Sequence, residues 1–230
     1  IDSDVSLAGT VSYDLGDEKY HVEPLNLEMV IRSKNVPGGT ATLKTSAIVD
    51  VDLDKGIVRI SQLALSGLGT ELSGDIEAID IESEAAGARG ALAFKGNDLA
   101  LIFNALELPV TEKISKLKQR GFNFTTEFDA NMQSGNVSIS KLEGTMLGAD
   151  LNATLEAERA NTDKPAAKGN IAATGPNLPP LLAVIGQFQG MDPKTLKNLI
   201  TVLGKAKDKS FDLQTSFDAD MESGQINLPK

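Results

Sequence analysis

The chain alternates between apolar and polar side chains over long stretches. Between residues 122 and 133 every second residue is apolar or small, beginning with Phe122 and Phe124, and polar residues lie between them. A period of two is typical of a β-strand with one apolar and one polar face. Ser134-Gly135-Asn136 follows, and Gly and Asn accept the positive φ that a tight turn requires. The pattern therefore predicts a strand that ends in a hairpin turn.

Three further segments continue the alternation. It resumes at Val137, slips by one residue before Leu142, and starts again after a second turn signal at Leu147-Gly148. Residues 169–174 make a fourth segment after a polar stretch. Short alternating segments separated by turn signals are typical of antiparallel hairpins. The sequence therefore predicts a unit of about four strands in meander order.

This unit recurs along the chain. Residues 122–139 return 89 positions later as residues 211–228, with eight of 18 positions identical and no gap. Residues 48–106 align without a gap onto residues 127–185, at an offset of 79. Recurrence of one unit is typical of elongated proteins in which neighbouring units stack and bury a continuous surface.

A helical segment closes each unit. In the first unit, Asp98 and Thr111 are placed to cap two short helices, and in the second Asp192-Pro193 supplies an N-cap followed by proline at the first helical position. The offset grows from 79 to 89 across this region, so the ten extra residues lie in the helical connector. Insertions are tolerated in connectors more readily than in strands.

These patterns predict one continuous, mainly β domain with short helices. We expect an elongated, twisted or curled antiparallel sheet, either an open groove or a flattened barrel, with helical connectors at the ends of repeats. Residues 43–121 are expected to form unit one, residues 122–210 unit two, and residues 211–230 the start of a third. Residues 1–42 match the same spacing at an offset of 38, as the tail of a preceding unit. The chain is interpreted as a segment of a longer protein.

Composition excludes several classes of function. The formal net charge of −10 disfavours a nucleic-acid partner, which requires a basic surface. The chain has no cysteine, so disulfides and thiolate metal sites are excluded. His21 is the only histidine, which rules out a histidine metal cluster, and we expect it to lie on the surface. We expect no metal, no cofactor and no catalytic residues.

One acidic segment resembles part of a calcium loop. Asp50, Asp52 and Asp54 alternate with apolar residues, but Lys55 stands where such a loop needs glycine and Ser61 where it needs a bidentate acid. Alternation on a strand with one polar face explains the three acids without a metal.

A stripe of four apolar residues that recurs in the next unit is the main candidate for function. It consists of Phe122, Phe124, Phe128 and Met132, and its copy of Phe211, Leu213, Phe217 and Met221. Exposing four such side chains forfeits about 6–12 kcal/mol, so something must cover them. Two interpretations stay open at this point: the stripe packs against protein as an ordinary core, or it forms a wall that faces acyl chains. The lipid-facing candidates are Val49, Val51, Leu53, Phe122, Phe124, Phe128, Met132, Leu147, Leu151, Leu155, Phe211, Leu213, Phe217 and Met221.

Several of these motifs resemble the AsmA family of Gram-negative envelope proteins. The similarity rests on the strand of residues 147–155, on residues 169–182 with the short helix they begin, on residues 191–197, and on the new strand at residue 211. It covers residues 43–230 well and residues 1–42 loosely. It consists of apolar and turn patterns rather than catalytic signatures.

The resemblance implies a parent protein anchored in the inner membrane, with a long portion in the periplasm. Relatives include TamB and the chorein-type bridge proteins, whose β-sheet grooves are thought to conduct phospholipids and to support outer-membrane biogenesis. We therefore expect phospholipids or other acyl lipids as partners, and a membrane contact through the parent's anchor. The alternative is a non-enzymatic scaffold for outer-membrane protein assembly; an enzyme is the weakest hypothesis.

Overall fold

The described residues form one antiparallel sheet of thirteen strands with short helices between some of them. The computed structural model describes residues 2–14, 16, 18–33, 37–81, 83, 85–105, 117–188, 193–220, 222 and 225–227. The strands are β1 (Asp2–Ala8), β2 (Val11–Asp14), β3 (Lys19–Arg32), β4 (Thr40–Asp52), β5 (Ile57–Gly67), β6 (Thr70–Ile79), β7 (Gly87–Gly96), β8 (Phe122–Asn131), β9 (Asn136–Met146), β10 (Ala149–Glu158), β11 (Ala166–Gly175), β12 (Phe211–Asp220) and β13 (Gln225–Asn227). The helices are α1 (Leu99–Ala105), α2 (Leu178–Phe188) and α3 (Pro193–Gly204), and Pro37–Gly39 form one 3₁₀ turn.

Strand order follows chain order, which confirms the predicted mainly β meander. From β3 to β13 each strand pairs with the next one along the chain, while β1 and β2 both pair with the outer edge of the long strand β3. The described strands run from β1 to β13 without closing on themselves, so the sheet is open and uncurled and forms no barrel.

Three β-bulges lie at equivalent positions of the repeat. The pairing register shifts by one residue between Val22 and Leu25 of β3, between Ile60 and Leu63 of β5, and between the corresponding residues, Ile139 and Leu142, of β9. The slip expected before Leu142 is therefore a bulge. An extra residue at each shift lets the strand resume with its apolar side chains on the same face.

The register places the apolar side chains of all units on one face of the sheet. Directly paired residues of antiparallel strands lie on the same face, so a row of pairs can be followed from strand to strand. Starting at β2, one such row contains only aliphatic side chains, phenylalanine and glycine, and we call it the apolar row. Its members are Val11, Val22, Val49, Ile60, Ile76, Gly90, Phe128, Ile139, Leu155, Gly169 and Phe217.

Glycine lies directly opposite phenylalanine at recurring positions of this face. Gly90 pairs with Phe128, and Gly169 pairs with Phe217 in the next unit. A Cβ atom added at Gly169 would lie 2.9 Å from Cε1 of Phe217 and would also collide with the carbonyl oxygen of Thr154. The absent glycine side chain therefore leaves room for each ring to lie across the neighbouring strand.

The buried core lies where the helices cover one end of the apolar face. Phe103 of α1, Val184 of α2 and Ile200 of α3 pack in one cluster with Phe122 at the start of β8. A second cluster places Leu181 of α2 over alanines of β10 and β11. The helices thus act as a partial cover for β8–β12.

Asp98 caps α1, as the sequence predicts, because its carboxylate accepts a hydrogen bond from the backbone N–H of Ala100 at 2.9 Å. The predicted caps Thr111 and Asp192 lie outside the described residues.

Replacing Gly169 tests the glycine–phenylalanine pairing. Gly169→Ala should lower the free energy of unfolding by about 1–3 kcal/mol, because the added methyl group displaces the Phe217 ring and the adjacent strand. Urea denaturation followed by circular dichroism measures the change. Gly204→Ala is the control, since a Cβ at that helix end would contact nothing within 4 Å beyond its chain neighbours and its own helix backbone. Equal midpoints for the two variants would contradict the pairing argument.

Candidate functional site

The apolar face is the candidate functional surface, and the structure gathers most of the predicted residues on it. We use this name for the side of the sheet that carries the apolar row. Ten of the predicted residues lie in strands on this side: Val49, Val51, Phe122, Phe124, Phe128, Leu151, Leu155, Phe211, Leu213 and Phe217. Leu53, Met132 and Leu147 lie in turns that follow β4, β8 and β9, and Met221 lies outside the described residues.

Protein already covers part of this surface. Phe122 is 5% exposed and Leu147 6% exposed, because both pack beneath the helices. Phe124, Leu151 and Phe211 pack partly against the same clusters. Phe122 and Leu147 therefore belong to the core, so in this structure they offer no surface to a ligand.

The remaining part of the apolar face has no such cover. Val49, Val51, Phe128, Leu155 and Phe217 are half-buried and belong to neither buried cluster. Their burial comes from their neighbours within the sheet, which leaves their outer surfaces open.

Two other predicted residues are exposed to solvent. Leu213 is 47% exposed, and Met132 is more exposed still. A side chain of this kind loses about 25 cal/mol for every Å² of apolar surface left in water. The open part of the face is therefore a surface that would gain from an apolar partner.

The sequence reasoning missed apolar residues of the intervening strands. Ile60, Ile76 and Ile139 lie in the apolar row but were not among the candidates. At the β1–β2 edge, Val5 and Leu7 are exposed on the same face. The same period-two alternation marks these positions. The glycines of the row could be found only from the pairing register.

The opposite face carries a row of charged residues directly behind the apolar row. Arg59 Nε lies 2.6 Å from Glu77 Oε2, and Arg89 Nε lies 3.0 Å from the other oxygen of Glu77. These hydrogen bonds, first that from Arg59 and then that from Arg89, lower the pKa of Glu77. The row, which we call the charged row, contains His21, Asp50, Arg59, Glu77, Arg89, Asp129, Ser138, Glu156, Lys168 and Asp218.

His21 begins the charged row and contacts two carboxylates. Its Nδ1 lies 2.6 Å from Asp50 Oδ1, and its Nε2 lies 3.0 Å from Glu23 Oε2. The hydrogen bond to Asp50, followed by that to Glu23, raises the pKa of the imidazole. The ring is 41% exposed, as expected for a surface histidine. Its contacts are those of a cross-strand ion pair.

The described depressions of the surface are bordered mainly by polar-face side chains. One of about 670 Å³ lies beside His21, one of about 590 Å³ beside Lys44, and one of about 180 Å³ beside Asn152 and Asn170. Of the lipid-facing candidates, Val51 borders the depression beside His21, and none borders the other two.

The described residues show no group of three or more His, Cys, Asp or Glu side chains arranged to hold a metal ion. None of the described helices has the length and apolar character needed to cross a membrane. Comparisons with models of known families, with curated proteins and with solved structures found no match.

The contacts of His21 predict a raised pKa for its imidazole, which can be followed through the NMR signal of the ring. The pKa of His21 should exceed 6.5, and Asp50→Asn should lower it by removing the largest cause of the shift. Titration followed by NMR is unambiguous because the chain has one histidine. Since the folded-state pKa is raised, the contacts stabilise the folded chain below pH 6.5, and this contribution is lost as pH rises through the raised pKa.

Asp129→Asn is the matched control for this titration. Asp129 occupies the position of Asp50 in the second unit but pairs with Arg89 and Ser138, and it does not contact His21. Its substitution should leave the pKa of His21 unchanged. An equal effect of both substitutions would contradict a direct His21–Asp50 contact.

Proposed function

We propose that the apolar face holds phospholipid acyl chains, in the periplasmic part of an AsmA-like envelope protein that supports outer-membrane biogenesis. The parent protein is anchored in the inner membrane, and lipids move along the sheet from unit to unit. The protein contributes a surface and no catalysis.

The continuity of the apolar row is the observation that carries this proposal. From β2 to β12 the row is not interrupted by a polar side chain. Neighbouring strands lie about 4.8 Å apart, so the ten steps of the row extend over about 48 Å. One leaflet of a bilayer core is about 15 Å thick, which makes a lipid tail equivalent to about three strands. Several tails therefore fit side by side or in sequence.

Energetics favours a hydrocarbon partner for the uncovered part. Each methylene that leaves water gains about 0.8 kcal/mol, and half-buried Phe128, Leu155 and Phe217 offer apolar area without a polar group that would require a partner. Because equivalent positions recur in each unit, a tail meets similar surfaces at successive positions. A series of similar sites allows movement, whereas one deep site would trap the lipid.

The polar face supports the same arrangement. The charged row pairs its own acids and bases, for example Lys168 Nζ with Glu156 Oε2 at 2.8 Å. A face of charged side chains that remain in water needs no further protein layer. The sheet can therefore stand with one face in water and the other against lipid.

The second candidate is a scaffold that docks other envelope proteins on the apolar face. One observation favours it: the helices already cover one end of the face, with Ile200 and Val184 packed against Phe122. The face therefore accepts protein side chains as partners. The two candidates differ in what covers the open part of the face.

The proposal predicts that phospholipid co-purifies with the folded chain. Native mass spectrometry should detect bound phospholipid, and the double variant Phe128→Asp with Phe217→Asp should lose it, because each carboxylate would be desolvated against a lipid tail. A second double variant, Leu213→Asp with Ile171→Asp, changes two exposed positions and should reduce lipid loading with little effect on folding.

Thr125→Asp with Gln214→Asp is the control. It adds the same charge to exposed positions of the polar face on β8 and β12. It should leave lipid loading unchanged. Undiminished loading in both apolar-face variants, each shown to be folded by circular dichroism, would refute the proposal. Loss of a bound protein in place of lipid would favour the scaffold.

A further inference from the structure

Basic residues divide into two groups according to their position in the fold. In the strands and hairpins, each described lysine or arginine lies next to an acid, usually in an ion pair with a neighbouring strand. Lys19 is the cross-strand partner of Asp52. The others that pair in this way are Arg32, Lys44, Lys55, Arg59, Arg89, Lys95, Lys141, Arg159, Lys164 and Lys168.

The helical connectors contain the second group. Of their described basic residues, only Arg120 forms an ion pair, with Asp98. The other six form no ion pair with a described residue. They are Lys118, Lys194, Lys197, Lys205, Lys207 and Lys209.

Five of these lysines lie in α3 and the segment that follows it. Residues 193–209 contain one acid, Asp208, and its carboxylate accepts hydrogen bonds from the backbone N–H and the hydroxyl of Ser210, at 2.9 and 2.7 Å. The segment thus carries a formal charge of +4 in a chain whose net charge is −10. Its positive charge is concentrated, and none of the described acids forms an ion pair with its lysines.

The same helix exposes aliphatic side chains beside the lysines. Ile200 is 6% exposed and fixes the inner side of α3 in the core. Val202 is 69% exposed and Leu199 40% exposed on the outer side. Leu199, Val202 and Lys205 follow one another at a spacing of three residues, which places them about 60° apart around the helix. The outer side of α3 therefore combines an apolar strip with a basic flank.

We propose that α3 and residues 205–209 form a docking surface for the interface of a membrane that contains anionic phospholipids. A helix with a basic flank and exposed aliphatic residues lies in the plane of the interface, with its apolar strip among the headgroups and upper acyl chains. The twelve residues of α3 extend over about 18 Å, so the helix lies along the surface. The lysines attract the anionic headgroups.

The exposed aliphatic residues distinguish a membrane from a nucleic acid as the partner. Nucleic-acid surfaces contact phosphates through basic and hydrogen-bonding groups and gain nothing from Val202. A membrane interface satisfies both parts of the surface. This proposal does not depend on acyl chains binding to the sheet, and vesicle binding is measured separately from co-purified lipid.

Vesicle binding by the full chain tests the docking surface. Vesicles of phosphatidylcholine with 30% phosphatidylglycerol should bind the protein, and vesicles of phosphatidylcholine alone should bind it far less. The triple variant Lys194→Gln, Lys197→Gln, Lys205→Gln should lose on the order of 100-fold in affinity, since each lysine near an anionic surface contributes about fivefold. Raising the salt concentration should weaken binding of the unmodified chain.

Lys95→Gln, Lys141→Gln, Lys168→Gln is the matched control, because it removes the same charge from strand lysines that pair with acids. It should bind as the unmodified chain does. Equal losses in the two triple variants, or equal binding to neutral and anionic vesicles, would overturn the proposal. Retention on heparin without vesicle binding would also overturn it, in favour of a polyanion partner.

A tryptophan reporter tests whether the apolar strip enters the interface. The chain has no tryptophan, so Val202→Trp gives one fluorophore on α3. Its emission should shift to shorter wavelength when anionic vesicles are added, because the indole ring leaves water. Thr125→Trp on the exposed polar face should show no shift. An unshifted Val202→Trp spectrum under conditions in which the chain binds vesicles would overturn docking through α3.

Discussion

The pleat of the β-strand is the constraint on which the rest of this structure depends. Side chains alternate between the two faces with a period of two, and a slip of one residue would exchange the faces. Apolar side chains lie mainly on one face of the strands, and each hairpin pairs residues of the same face. The bulges at Val22–Leu25, Ile60–Leu63 and Ile139–Leu142 preserve this order. The apolar and charged rows are therefore two sides of one backbone pairing pattern that extends over the whole sheet.

The separation of the two faces determines what the apolar face packs against. A one-sided sheet needs a partner for its apolar face, and the helices supply it only at one end, around Phe122 and Leu147 and over Ala149 and Ala173. Glycine opposite Phe128 and Phe217 lets the rings lie flat across the neighbouring strand, which keeps the uncovered part of the face continuous. The segment of α3 and the residues after it carries five lysines that form no ion pair with a described residue. In the functions proposed above, the charged row is solvated, the apolar row contacts acyl chains, and the connector with α3 contacts a membrane.

Local features of this fold could be predicted from the sequence because they depend on neighbouring residues. The alternation predicts β8 and β10, the turn residues predict the hairpin at Gly135, and the slip before Leu142 corresponds to a bulge. Features that depend on pairing partners could not be predicted. The contact of Gly169 with Phe217 requires the register between β11 and β12. The burial of Leu147 depends on where the helices lie. The difference in ion pairing between strand lysines and connector lysines depends on both the strand register and the position of the helices.

We expect the open apolar face to contact acyl chains across successive units. Photo-cross-linking with a phospholipid that carries a reactive group in its acyl chain tests this claim most directly, with adducts located by mass spectrometry. The account predicts adducts at apolar-face residues of several strands, such as Val49, Phe128 and Phe217, and none at the polar residues between them. Adducts distributed equally over both faces, or confined to the helical connectors, would contradict it.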